Sequence, residues 1–117
     1  MVAAFCLGCM DGVLEDALEY MMQRKAFGKL IGEFQSLQAY VADIASWRYS
    51  IELMMNHVAW LMTNNRPCHQ ESTMLKMMAS DYANRAADLG IQILGGMGYS
   101  AETDMQRYWR DTRLWRI

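Results

Sequence analysis

The feature that most constrains the fold is a long run of helical periodicity between Glu33 and Met62. Apolar side chains recur there in alternating steps of four and three residues, and a second row follows beside the first at seven-residue intervals. This spacing predicts one helix of about 28 residues, or roughly 42 Å at 1.5 Å per residue, with a wide apolar face. Arg48 lies within the stripe, where we expect it to extend to solvent or to pair across a bundle. The inward positions are Leu37, Val41, Ile44, Ile51, Met55, Val58 and Met62, with Tyr40, Trp47, Met54 and Leu61 beside them.

Two further segments have the same kind of periodicity. One runs from about Val2 to Arg24, and the other runs from Cys68 or His69 to Leu94. Small residues in the second would let a neighbouring helix come close. We expect the first segment to bury Phe5, Val13, Leu14, Ala17, Leu18 and Met21. We expect the second to bury Leu75, Met78, Ala79, Tyr82, Ala83, Ala86, Leu89, Gly90 and Ile93.

Helix ends are marked by residues that suit caps and breaks. Asn64-Asn65 offers a left-handed cap to the long helix, and Pro67 blocks its continuation. A shorter fourth helix is predicted after Ser100, a natural N-cap, with Glu102 and Asp104 in its first turn. Three long helices, one shorter helix and brief connections predict an all-α fold, an up-down four-helix bundle.

Composition and charge argue against several classes of function. Hydrophobic residues make up 53% of the chain and charged residues 21%, which is typical of a globular protein. A net charge of −2 argues against a general binder of nucleic acids or anionic membranes, and no apolar run is long enough for a membrane span. Three cysteines are an odd number, which argues against a disulfide framework. The N-terminal residues lack the basic region of a signal peptide, so we expect a cytoplasmic or mitochondrial-matrix location.

Three clusters of reactive or charged side chains are expected to be structural. Cys6-x-x-Cys9 has neither a βα context nor enough partners for zinc, so buried thiols are predicted. His69-Gln70-Glu71 lacks the P-C-x-x-C partner of zinc deaminases and is expected in an exposed first helical turn. Arg107 has Asp104 and Asp111 within pairing reach on a helix, which favours ion pairs over a nucleic-acid surface. No metal site and no catalytic constellation is predicted.

Two stretches leave a structural and a ligand-binding interpretation open. Gly95-Gly96 follows a predicted helix and not a strand, so it does not form a dinucleotide fingerprint. The pair either ends that helix or lets the backbone approach a ligand closely. Arg24 stands at the end of the first helix, before a turn bracketed by Gly28 and Gly32. It either complements the helix dipole or clamps an anion, since a planar guanidinium suits phosphate oxygens.

Four motifs, taken together, resemble those of the acyl-CoA dehydrogenases. The family has corresponding motifs in the same order and at similar separations, and with the helix pattern they make residues 1–117 resemble its C-terminal helical domain. The motifs are Arg24-Lys-Ala-Phe-Gly-Lys29, Phe34-Gln35-Ser36-Leu37-Gln38, Gln92-Ile-Leu-Gly-Gly96-Met-Gly-Tyr99 and Arg107-Tyr-Trp-Arg-Asp111.

The resemblance implies a flavoenzyme that binds FAD and oxidises acyl-CoA thioesters between Cα and Cβ. A glutamate removes the α-proton in that family while hydride passes to the flavin. The resemblance also implies a homo-oligomer, either a dimer or a tetramer, and an electron-transfer acceptor. The family's N-terminal helical domain, middle β-domain, final helix and catalytic glutamate have no counterpart in these residues. We therefore expect a fragment that is inactive alone, with a stand-alone helical interaction module as the alternative.

Carried over by position, the resemblance also implies which residues contact the cofactor. Arg24 would contact the FAD pyrophosphate, and Phe34 and Gln35 would lie against the cofactor at the start of the second helix. This domain would meet the ADP half of an FAD that a neighbouring subunit largely holds. The residues that would follow the ADP moiety are Gln92 and the backbone of Ile93, Leu94, Gly95 and Gly96.

Overall fold

The computed structural model describes all 117 residues and consists almost entirely of helices. A two-stranded antiparallel hairpin and a 3-10 turn separate the first two helices. The elements are α1 (Val2–Gln23), β1 (Lys25–Ala26), β2 (Lys29–Leu30), the 3-10 turn (Ile31–Glu33), α2 (Gln35–Thr63), α3 (His69–Leu94), α4 (Gly96–Tyr99) and α5 (Met105–Trp115). The all-α prediction is confirmed, and the three long helices lie close to their predicted bounds. None of the helices combines the length and the apolar composition needed to cross a bilayer.

The central element is α3, which packs against α1, α2 and α5. Its buried stripe is made mainly of small residues, so the neighbouring helices approach its backbone closely. A Cβ added at Gly90 would lie 2.3 Å from Met105 Sδ of α5 and 3.0 Å from Val13 Cγ1 of α1. The stripe includes Ala79, Ala83, Ala86, Ala87 and Gly90, as predicted.

The long helix α2 packs through the predicted face along most of its length. Ile44 and Ile51 are fully buried, whereas Met62 is 64% exposed, so its predicted burial is wrong. Met62 lies in the last turn, next to the α2–α3 connection, where Asn65 adopts the predicted left-handed conformation with φ +51°. Arg48 pairs across the bundle as expected, because its Nε lies 2.7 Å from Asp11 Oδ1 of α1.

The buried face of α1 differs in phase from the predicted one. Phe5 and Leu18 were predicted to point inward but are 57% and 45% exposed. Each lies one residue, or about 100° around the helix, from a fully buried neighbour, Cys6 or Ala17. Phe5 instead stacks on Trp115, with the ring centroids 6.1 Å apart. The helix therefore buries Ala3, Cys6, Cys9, Met10, Val13, Ala17 and Met21.

The last helix begins later than predicted. Ser100 is not its N-cap, because α5 starts at Met105 and is preceded directly by Asp104. The Ser100 hydroxyl instead accepts a hydrogen bond from the Glu102 backbone N–H at 3.2 Å and closes a local turn. Glu102 and Asp104 therefore precede the first turn of α5. A polar contact holds this helix on α3, where Asn84 Nδ2 donates to Thr112 Oγ1 at 3.3 Å.

Candidate functional site

The chain leaves α1 at Arg24 and turns back through a tight hairpin. Lys25 pairs with Leu30 and Ala26 pairs with Lys29. The two residues at the tip, Phe27 and Gly28, both have positive φ (53° and 83°), as in a type I′ turn. The hairpin is closed at its base, where the Ile31 N–H donates to the Arg24 carbonyl at 2.9 Å.

The hairpin is locally cationic within an acidic chain. Arg24 is exposed, and its guanidinium has neither an ion pair nor a side-chain hydrogen bond. Lys25 and Lys29 add two charges, and neither forms an ion pair. Between Glu19 and Asp43 the sequence has one acid, Glu33, and its Oε1 accepts a hydrogen bond from the Leu30 N–H at 3.1 Å. Arg24 is therefore free to bind an anion, as one of its two sequence-based interpretations requires.

The end of α3 depends on one glycine but not on the next. Gly95 has φ 60° and ψ −134°, a conformation that essentially only glycine adopts, and its N–H donates to the Ile91 carbonyl at 2.8 Å. Its role as the helix stop is confirmed. Gly96 has no positive φ, and a Cβ added there would meet nothing within 4 Å. The fold therefore does not explain the second glycine.

Arg24 and the end of α3 line the same surface groove. Tyr20, Ile31 and Met97 complete the lining of this open groove, which has a volume of about 520 Å³. Its floor is apolar, since Ile93 and Leu94 are buried there. Five of the predicted site residues are thus brought together from distant parts of the sequence: Arg24, Ile93, Leu94, Gly95 and Gly96.

The other three predicted residues do not line the groove. Phe34 lies between the 3-10 turn and α2 and is half-buried. Gln35 is the exposed first residue of α2, and Gln92 is exposed on α3, near the helix end. No side-chain hydrogen bond within the chain engages either amide, so both are available to a ligand or another chain.

Phe27 is a candidate site residue that the sequence interpretation did not single out. Its side chain is 97% exposed, and its φ of 53° is uncommon for a residue with a bulky side chain. Residues held in sparsely populated backbone conformations cluster at active sites and ligand-binding sites, which makes Phe27 a candidate. The sequence did contain a signal for it. In Arg24-Lys-Ala-Phe-Gly-Lys29, an aromatic residue precedes a glycine and is flanked on both sides by basic residues.

A second depression, adjacent to the groove, is acidic. It shares Tyr20 and Leu94 with the groove but is also lined by Asp16, Glu19 and Asp104. Burial and the nearby Asp104 raise the pKa of the Asp16 carboxyl, against a hydrogen bond from Tyr108 that lowers it. An anion would therefore be repelled from this depression and attracted toward the hairpin.

The groove lining holds no carboxylate, imidazole or thiol. Its chemistry is thus suited to binding an anion and an apolar or planar group, and the lining provides no general base. Elsewhere, the predicted pairing of Arg107 is confirmed, with its Nε 3.1 Å from Asp104 Oδ1 and its Nη1 3.8 Å from Asp111 Oδ2.

The predicted buried thiols are also confirmed. Cys6 and Cys9 are free and buried, and this burial raises the pKa of Cys6 to about 11 and that of Cys9 to about 12. No three histidine, cysteine or acidic side chains are grouped as a metal site would require. His69 lies exposed at the start of α3, as predicted for His69-Gln70-Glu71.

Comparison with known proteins supports a single family. Residues 1–117 match the family described as "Acyl-CoA dehydrogenase, C-terminal domain". The CarC subunit of the caffeyl-CoA reductase–Etf complex of Acetobacterium woodii is 35% identical over 99% of this chain and 31% of its own length. Butyryl-CoA dehydrogenase from Megasphaera elsdenii matches the structure with a TM-score of 0.96 at 34% identity, over 99% of this chain and 30% of that one.

A third match carries a bound cofactor in its description. The FAD complex of PigA has a TM-score of 0.94 at 29% identity, over 98% of this chain and 30% of the PigA chain. The chain thus spans about 30% of the length of the proteins it matches. The family match covers the whole sequence, including all four motifs, and does not favour the alternative of a stand-alone helical interaction module.

Proposed function

The chain belongs to the acyl-CoA dehydrogenase family, and from this premise we propose that it supplies the ADP-facing part of an FAD site in a flavoenzyme. The parent reaction that we propose is oxidation of acyl-CoA thioesters between Cα and Cβ. The observation that carries the proposal is the groove, whose lining includes both an unpaired arginine and a glycine that the fold does not need. Both features have a function if a pyrophosphate and its nucleoside occupy the groove.

The residues present fit such a ligand. Phosphate oxygens need charge-assisted donors, and Arg24 provides them without a competing partner. Gly96 lets the backbone come close, since no side chain stands between it and the groove. Ile93 and Leu94 offer an apolar floor, and Phe27 offers an exposed ring for a planar heteroaromatic group. We place Phe34, Gln35 and Gln92 at the rim of the same site.

The contribution of this chain to the reaction is binding and orientation. FAD, when bound, supplies the acceptor for the hydride that leaves Cβ. Arg24 and the glycine backbone would hold the far end of that molecule, and the apolar floor would exclude water beside it. Because the groove lining contains no carboxylate, we assign removal of the α-proton to a residue outside this groove.

Partners and location follow from the same family membership. We propose an acyl-CoA substrate, since both CarC and butyryl-CoA dehydrogenase are named for CoA thioesters. We propose an electron-transfer protein as acceptor, because CarC is named as a subunit of a complex with Etf. A homodimer or homotetramer would supply the rest of the FAD site from a neighbouring subunit. Free Cys6 and Cys9 support a reducing compartment, either the cytoplasm or the mitochondrial matrix.

The binding proposal is tested by titrating the ¹⁵N-labelled chain with ADP, FAD and FMN. We expect weak binding, near millimolar or about −4 kcal/mol, because one wall alone contacts the ligand. The amide resonances of Arg24, Phe27, Gly95 and Gly96 should shift more with ADP and FAD than with FMN, because FMN has a single phosphate and lacks the AMP half of FAD. Absence of these shifts, or equal shifts with FMN, would contradict the proposal.

Three variants make the titration specific. Arg24→Gln should weaken ADP binding by roughly tenfold or more, since it removes a charged hydrogen-bond donor. Gly96→Ala should also weaken binding, although the fold has open space for the methyl group. Arg66→Gln is the matched control, because Arg66 is likewise exposed and unpaired but lies in the α2–α3 connection. If Arg24→Gln and Arg66→Gln weakened ADP binding equally, the loss of affinity would be explained by the change in overall charge.

Catalysis by the 117-residue chain is tested separately. We expect it to purify without yellow colour and to show no thioester oxidation in a dye-coupled assay with butyryl-CoA. The physical reason is that the groove is open and its lining has no base. Retention of flavin through purification, or turnover above the no-protein control, would show that this chain contains more of the active site than we propose.

A further inference from the structure

Three side chains of the hairpin region form a cluster beside the groove. Lys29 Nζ lies 4.3 Å from the centroid of the Phe34 ring, which is a cation–π distance. The Phe27 ring stands edge-on to the same Phe34 ring, with the centroids 6.3 Å apart and the planes at 88°. Phe34 is thus contacted by both a cation and a second aromatic ring.

Phe34 is the fixed member of this cluster. Its backbone N–H donates to the Ile31 carbonyl at 3.1 Å, and its carbonyl accepts from the Leu37 and Gln38 N–H groups at 3.0 and 3.1 Å. The Phe34 backbone is therefore set by the start of α2 and by the 3-10 turn, whereas the orientation of its ring depends on side-chain contacts such as the one with Lys29. Its ring is also partly buried against the core, unlike the ring of Phe27.

Phe27 is the member that needs support. With 97% of its side chain exposed, it has almost no other packing to restrict its rotamers. An exposed ring that must be ordered on binding loses conformational entropy and so weakens the complex. A T-shaped contact with Phe34 restricts the ring in advance while leaving it accessible to a planar ligand.

The hairpin register separates Lys29 from the other lysine. Ala26 pairs with Lys29 and Lys25 pairs with Leu30, and successive residues of a strand point to opposite faces. Lys25 and Lys29 therefore lie on opposite faces of the hairpin. The Lys29 charge is placed over an aromatic ring and has no acidic partner.

We propose that Lys29 is a positioning residue, which orients the Phe34 ring and through it holds Phe27 ready to stack on the planar base of a bound nucleotide. This inference rests on the proposed nucleotide site and adds to it a role for a residue outside the groove lining. Lys29 would affect binding through the Phe34 and Phe27 rings, of which Phe27 would stack on the base of the ligand. A phosphate-binding lysine would instead attract the phosphate groups by its charge. The two roles respond differently to ligands with and without a base.

The test compares ADP with inorganic pyrophosphate in NMR titrations of the 117-residue chain. Lys29→Met should weaken ADP binding about twofold to fivefold more than it weakens pyrophosphate binding. Lys29→Arg should restore the wild-type ratio, since arginine also stacks on aromatic rings. Lys25→Met makes the same charge change on the other face and should weaken both ligands by the same factor.

A second measurement detects the contact itself without any ligand. The Lys29 Hε resonances should be shifted upfield by the Phe34 ring in the free protein, and Phe34→Leu should abolish that shift. Random-coil Hε shifts in the wild type would overturn the inference. So would a Lys29→Met variant that behaves like Lys25→Met or that changes neither affinity.

Failure of the positioning role and failure of the nucleotide site give different results. If Arg24→Gln weakens both ligands but Lys29→Met has no selective effect on ADP, the site stands and the role of Lys29 is wrong. If neither ligand shifts Arg24 and Gly96 amides, the site itself is wrong. In that case the upfield shift of Lys29 would report only a structural contact.

Discussion

Gly90 and Gly96 lie close together on the chain but in opposite surroundings. A Cβ at Gly90 would collide with Met105 and press on Val13, so glycine there is a condition of helix packing. A Cβ at Gly96 would project into open space beside Arg24. The first glycine belongs to a filled interior and the second to a surface that is left open. Glycine can therefore occupy two positions for unrelated reasons, and the atoms around each position distinguish them.

The largest expected effect concerns Gly90, the glycine in the packed interior. Gly90→Val should lower the free energy of unfolding by about 3 kcal/mol, because extra atoms must displace Met105 and Val13 in a close-packed contact. Urea denaturation followed by circular dichroism measures it. Gly8→Ala is the matched control in α1, where a Cβ meets nothing within 4 Å and should slightly stabilise the helix. Equal effects of the two substitutions would break the comparison.

A smaller effect is expected at the helix stop, on the boundary between the two surroundings. Gly95→Ala should destabilise the fold by about 1–2 kcal/mol, since alanine disfavours positive φ. Gly96→Ala should leave the free energy of unfolding nearly unchanged, because no contact or strain opposes the methyl group. The same denaturation assay serves both variants. A clear destabilisation by Gly96→Ala would mean that the second glycine is structural after all.

Two carboxyl groups near the groove should respond to pH with opposite signs. The pKa of Asp16 is raised above 3.8, mainly by burial, so its contribution to stability is present below pH 3.8 and is lost as pH rises through the folded value. Arg107 lowers the pKa of Asp104 below 3.8, so its contribution is present above that pH and is lost as pH falls through the folded value. Asp16→Asn should therefore gain stability relative to wild type on going from pH 3 to neutral pH. Asp104→Asn should lose stability over the same range.

Unfolding free energies of both variants and of the wild type, measured between about pH 3 and 7, check this pair of predictions. Parallel pH curves for Asp16→Asn and Asp104→Asn would contradict the opposite environments of the two carboxyl groups. The comparison matters because Asp16 lines the acidic depression that lies next to the groove.

The last prediction concerns the reactivity of the three cysteines and involves no change in the stability of the protein. Cys6 and Cys9 lie in the filled interior with raised pKa values, whereas Cys68 is partly exposed before α3. Iodoacetamide at pH 8 should therefore alkylate Cys68 first, and the other two thiols only on unfolding. Mass spectrometry of digested protein at successive times measures the order. Early alkylation of Cys6 or Cys9 in folded protein would show that the interior opens locally.

The helices could be predicted because their periodicity is a local property of the sequence. The steps of three and four that gave Ile44 and Ile51 as inward residues hold in the structure. The rotation of a helix about its axis is harder to predict when adjacent residues are all apolar. Phe5 and Leu18 were therefore predicted to point inward, although the buried face of α1 runs through Cys6 and Ala17. Only the position of neighbouring helices decides between adjacent apolar residues.

Local polar chemistry explains the other errors. Serine competes for helix caps and for turns, and in this chain the Ser100 hydroxyl accepts a hydrogen bond that delays α5. The exposed ring of Phe27 depends on a two-residue hairpin too short to have a periodic pattern. Arg24 and Gly96 line one groove but lie far apart in the chain, and no single segment of the sequence contains both. Their common site was suggested by motif resemblance, and the assignment of the cofactor-contacting residues stays a prediction.

The short interval between Gly90 and Gly95 also makes chain length a constraint. Each added residue turns an α-helix by about 100° and lengthens it by 1.5 Å. One insertion there would keep both glycines, yet it would rotate the end of α3, with the buried Ile93 and Leu94, away from its present alignment with the hairpin. We expect gains or losses of residues to be better tolerated in the exposed α2–α3 connection around Arg66. Between Gly90 and Gly95, a change of one residue would move the apolar floor and the glycines of the groove away from Arg24.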